Sequence, residues 1–261
     1  MRAIFLAACV LLMPAPARAQ EPLPATPETS AAGKKIPSAR GPAPVKVMLI
    51  GDSLSFGTFG EKLEGFLRGR YGSGKICVFA SCGSSPEHWV TGGPEFLTPC
   101  GYREATPKGS RKEDFSGGRP PQLVRTPKLS ELLACYSPEI VIVQLGTNWM
   151  DRLGGGGDAA SYKQIIRRFI RELRAQPNPP PRIVWVLPPD SSKFPVQVKD
   201  AVDIWINECA KEMGFQTIFS RRITGKYAPG KSGSDGVHYN DAEAARWANI
   251  VIWMLYAYGP D

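Results

Sequence analysis

Histidine is nearly absent from this chain, which has two in 261 residues, His88 and His238. Its six cysteines form no Cys-x-x-Cys pair. Tetrahedral zinc sites draw on clustered Cys and His side chains, so no metal site is expected, and no cofactor is expected either. Past the first residues there is no apolar run near the roughly 20 residues that a membrane-spanning helix needs, so no transmembrane helix is expected. Nucleic-acid-binding motifs are lacking too, which removes nucleic acid as the partner that the net charge of +8 would otherwise suggest. That charge fits either a solvated basic surface or attraction to acidic polymers and anionic headgroups.

What is present begins with an export signal. Met1-Arg2 and the short apolar stretch Ala3 to Met13 precede Ala17-Arg18-Ala19, a small-x-small cleavage pattern, so residues 1–19 read as a signal peptide. Leu6-Ala7-Ala8-Cys9 offers a lipoprotein reading as the lesser alternative. Residues 20–44 are rich in Pro, Ala, Thr, Ser and Lys with few large apolar side chains, and read as a disordered stalk. The rest, 45–261, is about the size of one domain. A periplasmic or secreted location follows, and it permits disulfides. Five cysteines remain after Cys9, namely Cys77, Cys82, Cys100, Cys135 and Cys209, an odd number. Cys82 with Cys100 is the preferred bridge, because both lie in loop-like sequence and would pin a long segment. Cys135 and Cys209 fall in amphipathic helices and are expected to be buried thiols.

Apolar runs at Val45–Ile50, Ile76–Ala80, Ile140–Leu145, Arg182–Leu187 and Gln216–Phe219 predict strands. Helical spacing covers Glu61–Arg70, Leu129–Tyr136, Tyr162–Ala175, Val198–Met213 and Asp241–Tyr258, the last with Asn240 as its cap. Strands apolar on both faces, alternating with helices, predict an α/β fold with a mostly parallel sheet covered on both sides. Active residues then belong at the carboxyl ends of strands. The long connection at 84–122 lacks an obvious periodic pattern, and reads as functional or covering material.

Two blocks fall at such strand ends, and a third stands before the last helix. Gly51-Asp52-Ser53-Leu54 follows the first strand and presents a serine hydroxyl. Gly146-Thr147-Asn148 ends the third and offers an amide donor. Asp235-Gly236-Val237-His238 precedes the last helix with a carboxylate one short turn from an imidazole, the spacing a base and its orienting acid require. Gly83, past the end of the second strand, can bring a backbone N–H close because no side chain blocks the approach.

In this order, Gly51-Asp52-Ser53-Leu54, Gly83, Gly146-Thr147-Asn148 and Asp235-Gly236-Val237-His238 resemble the SGNH, or GDSL, hydrolase family across the domain. The resemblance implies a three-layer α/β/α sandwich of flavodoxin-like type. It further implies catalytic Ser53, Asp235 and His238, and an oxyanion hole from the Ser53 and Gly83 N–H groups with the Asn148 side chain. The expected activity is hydrolysis of carboxylic esters through an acyl-serine intermediate, with acetyl groups on an envelope or extracellular polysaccharide as preferred substrate. The basic residues Arg103, Lys108, Arg111, Lys112 and Arg119 motivate that polymer, and so do Trp89 and Trp149, read as sugar-facing aromatics. A periplasmic lysophospholipase or thioesterase, and a non-catalytic polysaccharide-binding protein, stand as alternatives. His88 lines the cleft or is an ordinary loop residue. Gly225 to Ser232 matches the phosphate-loop pattern by letter. It lacks the buried strand before it and the helix after it, so no nucleotide partner is expected. The alpha/beta-hydrolase elbow Gly-x-Ser-x-Gly is missing, because Ser55 stands two residues after Ser53.

Overall fold

The apolar strand sequences assemble as their two-sided hydrophobicity requires. The structure, a computed structural model, describes residues 43–115, 124–153 and 158–257. The segment read as a signal peptide, nearly all of the one read as a stalk, Arg119 and the end of the 84–122 connection therefore lie outside the described residues. Five strands are parallel: β1 (Ala43–Gly51), β2 (Ile76–Ser81), and three further ones at Tyr136–Gln144, Arg182–Val186 and Gln216–Ile218. Two more, β3 (Gly101–Thr106) and β4 (Gly109–Asp114), form an antiparallel hairpin that extends the sheet beyond β2. With the later strands numbered β5, β6 and β7, the order is β4-β3-β2-β1-β5-β6-β7.

That hairpin corrects the reading of 84–122 as a segment without regular structure. A short helix at Pro86–Trp89 lies in the same segment. Cys82 and Cys100 are bridged, as preferred, and Cys82 N–H donates to Gly101 O at 2.9 Å where β3 begins. Smaller differences concern element ends. The first strand starts at Ala43, two residues inside the assigned stalk, and the strand predicted from Ile140 already runs from Tyr136 because β1 pairs with it from Ala43 onward.

Helices cover both faces. Numbered in chain order, α1 (Ser53–Phe56), α2 (Thr58–Tyr71), α3 (Pro86–Trp89), α4 (Leu129–Cys135), α5 (Trp149–Leu153), α6 (Ala159–Arg174), α7 (Val196–Met213), α8 (Ser220–Thr224) and α9 (Asp241–Ala257) surround the sheet. Alternation along β1 divides the core. Met48 and Ile50 join Leu133 of α4, Phe169 of α6 and Ile206 of α7 on one face. Val47 and Leu49 join Leu63 of α2 and Trp247 of α9 on the other. The result is a three-layer α/β/α sandwich. Asn240 caps α9 as expected, accepting from Glu243 N–H at 3.0 Å. Cys209 is buried, but Cys135 is exposed, against expectation: it is the last residue of α4, where the chain turns into β5. Among the described residues, no helix is long and apolar enough to cross a membrane.

Among the parallel strands the order is β2-β1-β5-β6-β7, so consecutive connections leave β1 in opposite directions. A crevice opens beyond its carboxyl end, where open α/β sheets bind ligands.

Candidate active site

The turn after β1 is shaped by packing. A Cβ on Gly51 would lie 2.1 Å from Ser55 Oγ, so only glycine lets the chain turn there. Asp52 then caps α1, its Oδ1 accepting from Leu54 N–H at 3.0 Å. Ser53 becomes the first residue of α1, with its amide among the helix-start N–H groups that have no acceptor within the helix. The residue keeps 9% exposure, enough to face the crevice. Beneath it lies a buried polar layer: Ser55 Oγ donates to Gln144 Oε1 at 2.8 Å, and Asp52 is fully enclosed. Burial pushes the Asp52 carboxyl up to about 6, against the hydrogen bond from Leu54 N–H that holds it down.

On the opposite side of the crevice the Asp235–His238 turn is fixed locally. Asp235 Oδ1 accepts from the N–H groups of Val237 (2.9 Å) and His238 (2.7 Å), and Oδ2 lies 2.5 Å from His238 Nδ1. Partial burial would raise the Asp235 carboxyl, but these three hydrogen bonds overrule it and hold the group down at about 2, a carboxylate at any ordinary pH. With the proton on Nδ1 facing this carboxylate, His238 Nε2 presents its lone pair to Ser53 Oγ, 2.8 Å away across 185 residues of chain. The His238 and Asp235 side chains are half-exposed, at 49% and 50%.

Two further strand ends meet Ser53's rim. Gly83 follows β2 with φ +79°, a left-handed conformation suited to glycine. Its neighbours' amides are used inside the turn, Cys82 N–H on Gly101 O and Ser84 N–H on Ser81 O. Gly146, at φ +124°, turns the chain after β5, and Asn148 Nδ2 donates to Ser84 O at 2.8 Å, tying this turn to the one after Gly83. A carboxamide has two N–H donors, so one is left for a ligand. Ser53, Asp235, His238, Gly83 and Asn148 are thus all drawn to the carboxyl ends of β1, β2 and β5 and to the turn before α9.

Trp89 and Trp149 are not at that surface. Both are fully buried in the core beside α6. Their indole N–H groups are used internally, Trp89 Nε1 donating to Ser84 Oγ at 3.0 Å and Trp149 Nε1 to Glu87 Oε2 at 2.7 Å. They brace the turns from beneath instead of offering faces to a sugar. His88 is internal as well. Its Nδ1 accepts from Ser85 N–H, its ring stacks on Phe96 at 4.0 Å, and burial holds its imidazole down at about 4. The basic residues of the insertion are largely neutralised: Arg103 is buried against Glu64, Arg111 pairs with Glu113 and Lys112 with Glu61. Residues that escaped the sequence reading are Asp52, Gln144 and Ser84. Only Asp52 carried a signal, since Asp is a preferred cap immediately before a helix.

A three-layer α/β/α sandwich with a serine, a histidine and an acid at one strand-end rim defines a class, the carboxylic ester hydrolases. The family model described as GDSL-like lipase/acylhydrolase matches residues 47–251, and the chain belongs to that family. No curated protein matches the sequence. Among solved structures, the chain is similar to a peptidoglycan O-acetylesterase, with a TM-score of 0.51 at 13% identity over 82% of this chain and 91% of that one. It is similar also to a lipase/acylhydrolase from Enterococcus faecalis (0.51, 14%, 82% and 96%). A carbohydrate acetylesterase from Sinorhizobium meliloti gives 0.51 at 13% identity, over 82% of this chain and 100% of that one. At such identities the likeness concerns the fold.

Proposed function

We propose that the chain is an exported serine esterase that removes acetyl groups from a cell-envelope or extracellular polysaccharide, with Ser53 as nucleophile, His238 as general base and Asp235 orienting the imidazole. The observation that carries this reading is the continuous line from Asp235 Oδ2 to His238 Nδ1 (2.5 Å) and from His238 Nε2 to Ser53 Oγ (2.8 Å). As Ser53 Oγ attacks the ester carbonyl, its proton passes to Nε2, and the imidazolium that forms is stabilised by the Asp235 carboxylate. The oxyanion is received by the Ser53 and Gly83 N–H groups and the Asn148 amide. Collapse expels the alcohol, protonated by His238, and leaves acyl-Ser53. A water, deprotonated by the same imidazole, releases the acid and restores the serine.

The acetyl group and the sugar polymer are supported by the names of two similar structures, a peptidoglycan O-acetylesterase and a carbohydrate acetylesterase, and by the signal-like sequence at 1–19. Surface charge on the insertion adds little, given its internal ion pairs. A long-acyl substrate would need an apolar channel at Ser53. The cavity of about 570 Å³ lined by Val47, Phe66, Ile140 and Leu255 lies instead toward the amino ends of the strands.

The test compares the purified protein with Ser53→Ala for acetate release from O-acetylated polysaccharides and from a small activated acetyl ester. The variant is expected to lose at least about 10³-fold in kcat. Equal rates for the two proteins would remove Ser53 from the reaction.

A further inference from the structure

The stretch Gly225 to Ser232, which matches a phosphate loop by letter, has a different place in the molecule. It follows α8, and the next helix opens only at Asp241, so no helix amino terminus stands ready for phosphate. It is instead a self-bonded turn. The N–H groups of Lys231 and Ser232 donate to Ala228 O at 3.1 and 2.7 Å, Ala228 N–H donates to Ser232 Oγ at 3.1 Å, and Gly230 N–H donates to Gly233 O at 2.8 Å.

This turn grips the backbone around His238. The Tyr227 hydroxyl donates to His238 O at 2.9 Å. Asn240 N–H donates to Ser232 O at 2.7 Å and Asn240 Nδ2 to Lys231 O at 2.6 Å. Gly233 packs against the same contact, where a Cβ would fall 1.9 Å from His238 O and 2.3 Å from Tyr227 Oη. A second grip comes from the loop after β6. Asp190, itself buried, accepts from Tyr227 N–H at 2.7 Å and from Lys199 Nζ at 2.5 Å, while Lys199 also donates to Ser191 O at 2.6 Å. Tyr239 Oη donates to Asp190 O at 2.9 Å, and Ser191 Oγ donates to Gly236 O at 2.5 Å.

We infer that Tyr227, seated by the buried Asp190–Lys199 pair, is a positioning residue for His238. The need for it is visible in the exposure of the imidazole. A side chain 49% exposed has little packing to hold it, so its aim at Ser53 depends on where its backbone is fixed. Carbonyls at 236 and 238 and the side chains of 239 and 240 are tied to one unit made of the 227–233 turn and the 190–191 loop. Lys199 and Asp190 are both 8% exposed. A buried ion pair with its remaining valences satisfied is strongly destabilised by loss of one partner, which makes it a rigid foundation for Tyr227. The inference rests on the esterase reading of the same site.

Tyr227→Phe deletes the single hydroxyl that reaches His238 O and leaves the ring in place. The expected result is a fall in kcat of between about 10- and 100-fold, the range a displacement of about 1 Å produces. KM for a small acetyl ester should remain at the wild-type value, and the thermal midpoint should fall only by the few degrees that loss of one hydrogen bond produces. A second readout does not need turnover: the downfield proton resonance of a histidine Nδ1–H. Of the chain's two histidines, His88 uses Nδ1 as an acceptor from Ser85 N–H, so this signal belongs to His238. It should be sharp in wild type and broadened or lost in Tyr227→Phe. Wild-type kcat together with an unchanged resonance overturns the inference. If the wild-type protein hydrolyses no ester, the esterase reading fails, and the resonance alone decides whether Tyr227 seats His238.

Discussion

Asn148 has one amide hydrogen that is bonded and one that is free. One amide hydrogen is committed to Ser84 O at 2.8 Å, which fixes the side chain at the rim, and the other is left for a ligand. In Asn148→Ala both are lost. If the free donor stabilises the oxyanion, kcat on an acetyl ester should fall by about 10²- to 10³-fold with KM little changed, because the interaction strengthens only as charge develops. If the amide merely braces Ser84, the loss stays below about tenfold. Steady-state kinetics of the one variant separates the two. The pair Asp235 and His238 was legible for a local reason: a carboxylate that accepts from N–H groups two and three residues ahead closes a turn whose partners are neighbours in the chain. Trp89 and Trp149 were misread because nearness to a motif in sequence says nothing about direction. Both indoles point inward to Ser84 and Glu87, partners that no spacing rule reveals.

The elements were legible wherever burial was two-sided. The six residues of β2 are all buried, and runs such as Val141, Ile142 and Val143 permit few structures other than a strand inside a covered sheet. The β3–β4 hairpin was hidden for the opposite reason. Gly-Ser-Arg-Lys-Glu-Asp of β4 is an exposed edge strand with charge on both faces, as edges that avoid further pairing tend to be, and it carries no apolar alternation. The hairpin is attached by the ladder to β2, by the ion pairs of Arg103 with Glu64 and Lys112 with Glu61, and by the Cys82–Cys100 bridge. Thr98 Oγ1 links the same two points, donating toward Cys82 O at 2.9 Å and Gly101 O at 2.6 Å. Cross-linking residues 18 apart restricts the unfolded chain by about 3 kcal/mol. The double variant Cys82→Ala/Cys100→Ala is therefore expected to unfold at lower denaturant concentration, with a loss of that order. A midpoint within error of wild type would show that the bridge adds nothing to the stability of the folded chain.

At the scale of the whole molecule, stability against pH is set by carboxyls pulled in opposite directions. Asp235 and Asp190 have folded values below the ordinary aspartate range, so their contributions are present above it and are lost as pH falls. Asp52 works the other way. Its carboxyl is at about 6 when folded against 3.8 for the free group, because burial disfavours the charge, so between those values the folded protein binds more protons than the unfolded chain. Stability from this group is full below about 4 and declines as pH rises to about 6, by roughly 3 kcal/mol for a shift of this size. Asp203, also raised to about 6 by burial, adds to the same decline despite the Arg221 ion pair. Asp52→Asn isolates one share of it, since an amide keeps an oxygen for Leu54 N–H and never ionises. Unfolding free energies of the two proteins, measured from pH 4 to pH 8, should move apart in favour of the variant as pH rises, with the gap growing chiefly below pH 7 and then levelling. A gap that stays constant across the range would mean that Asp52 is already ionised in the folded protein throughout, and that the polar layer under Ser53 receives its charge without cost.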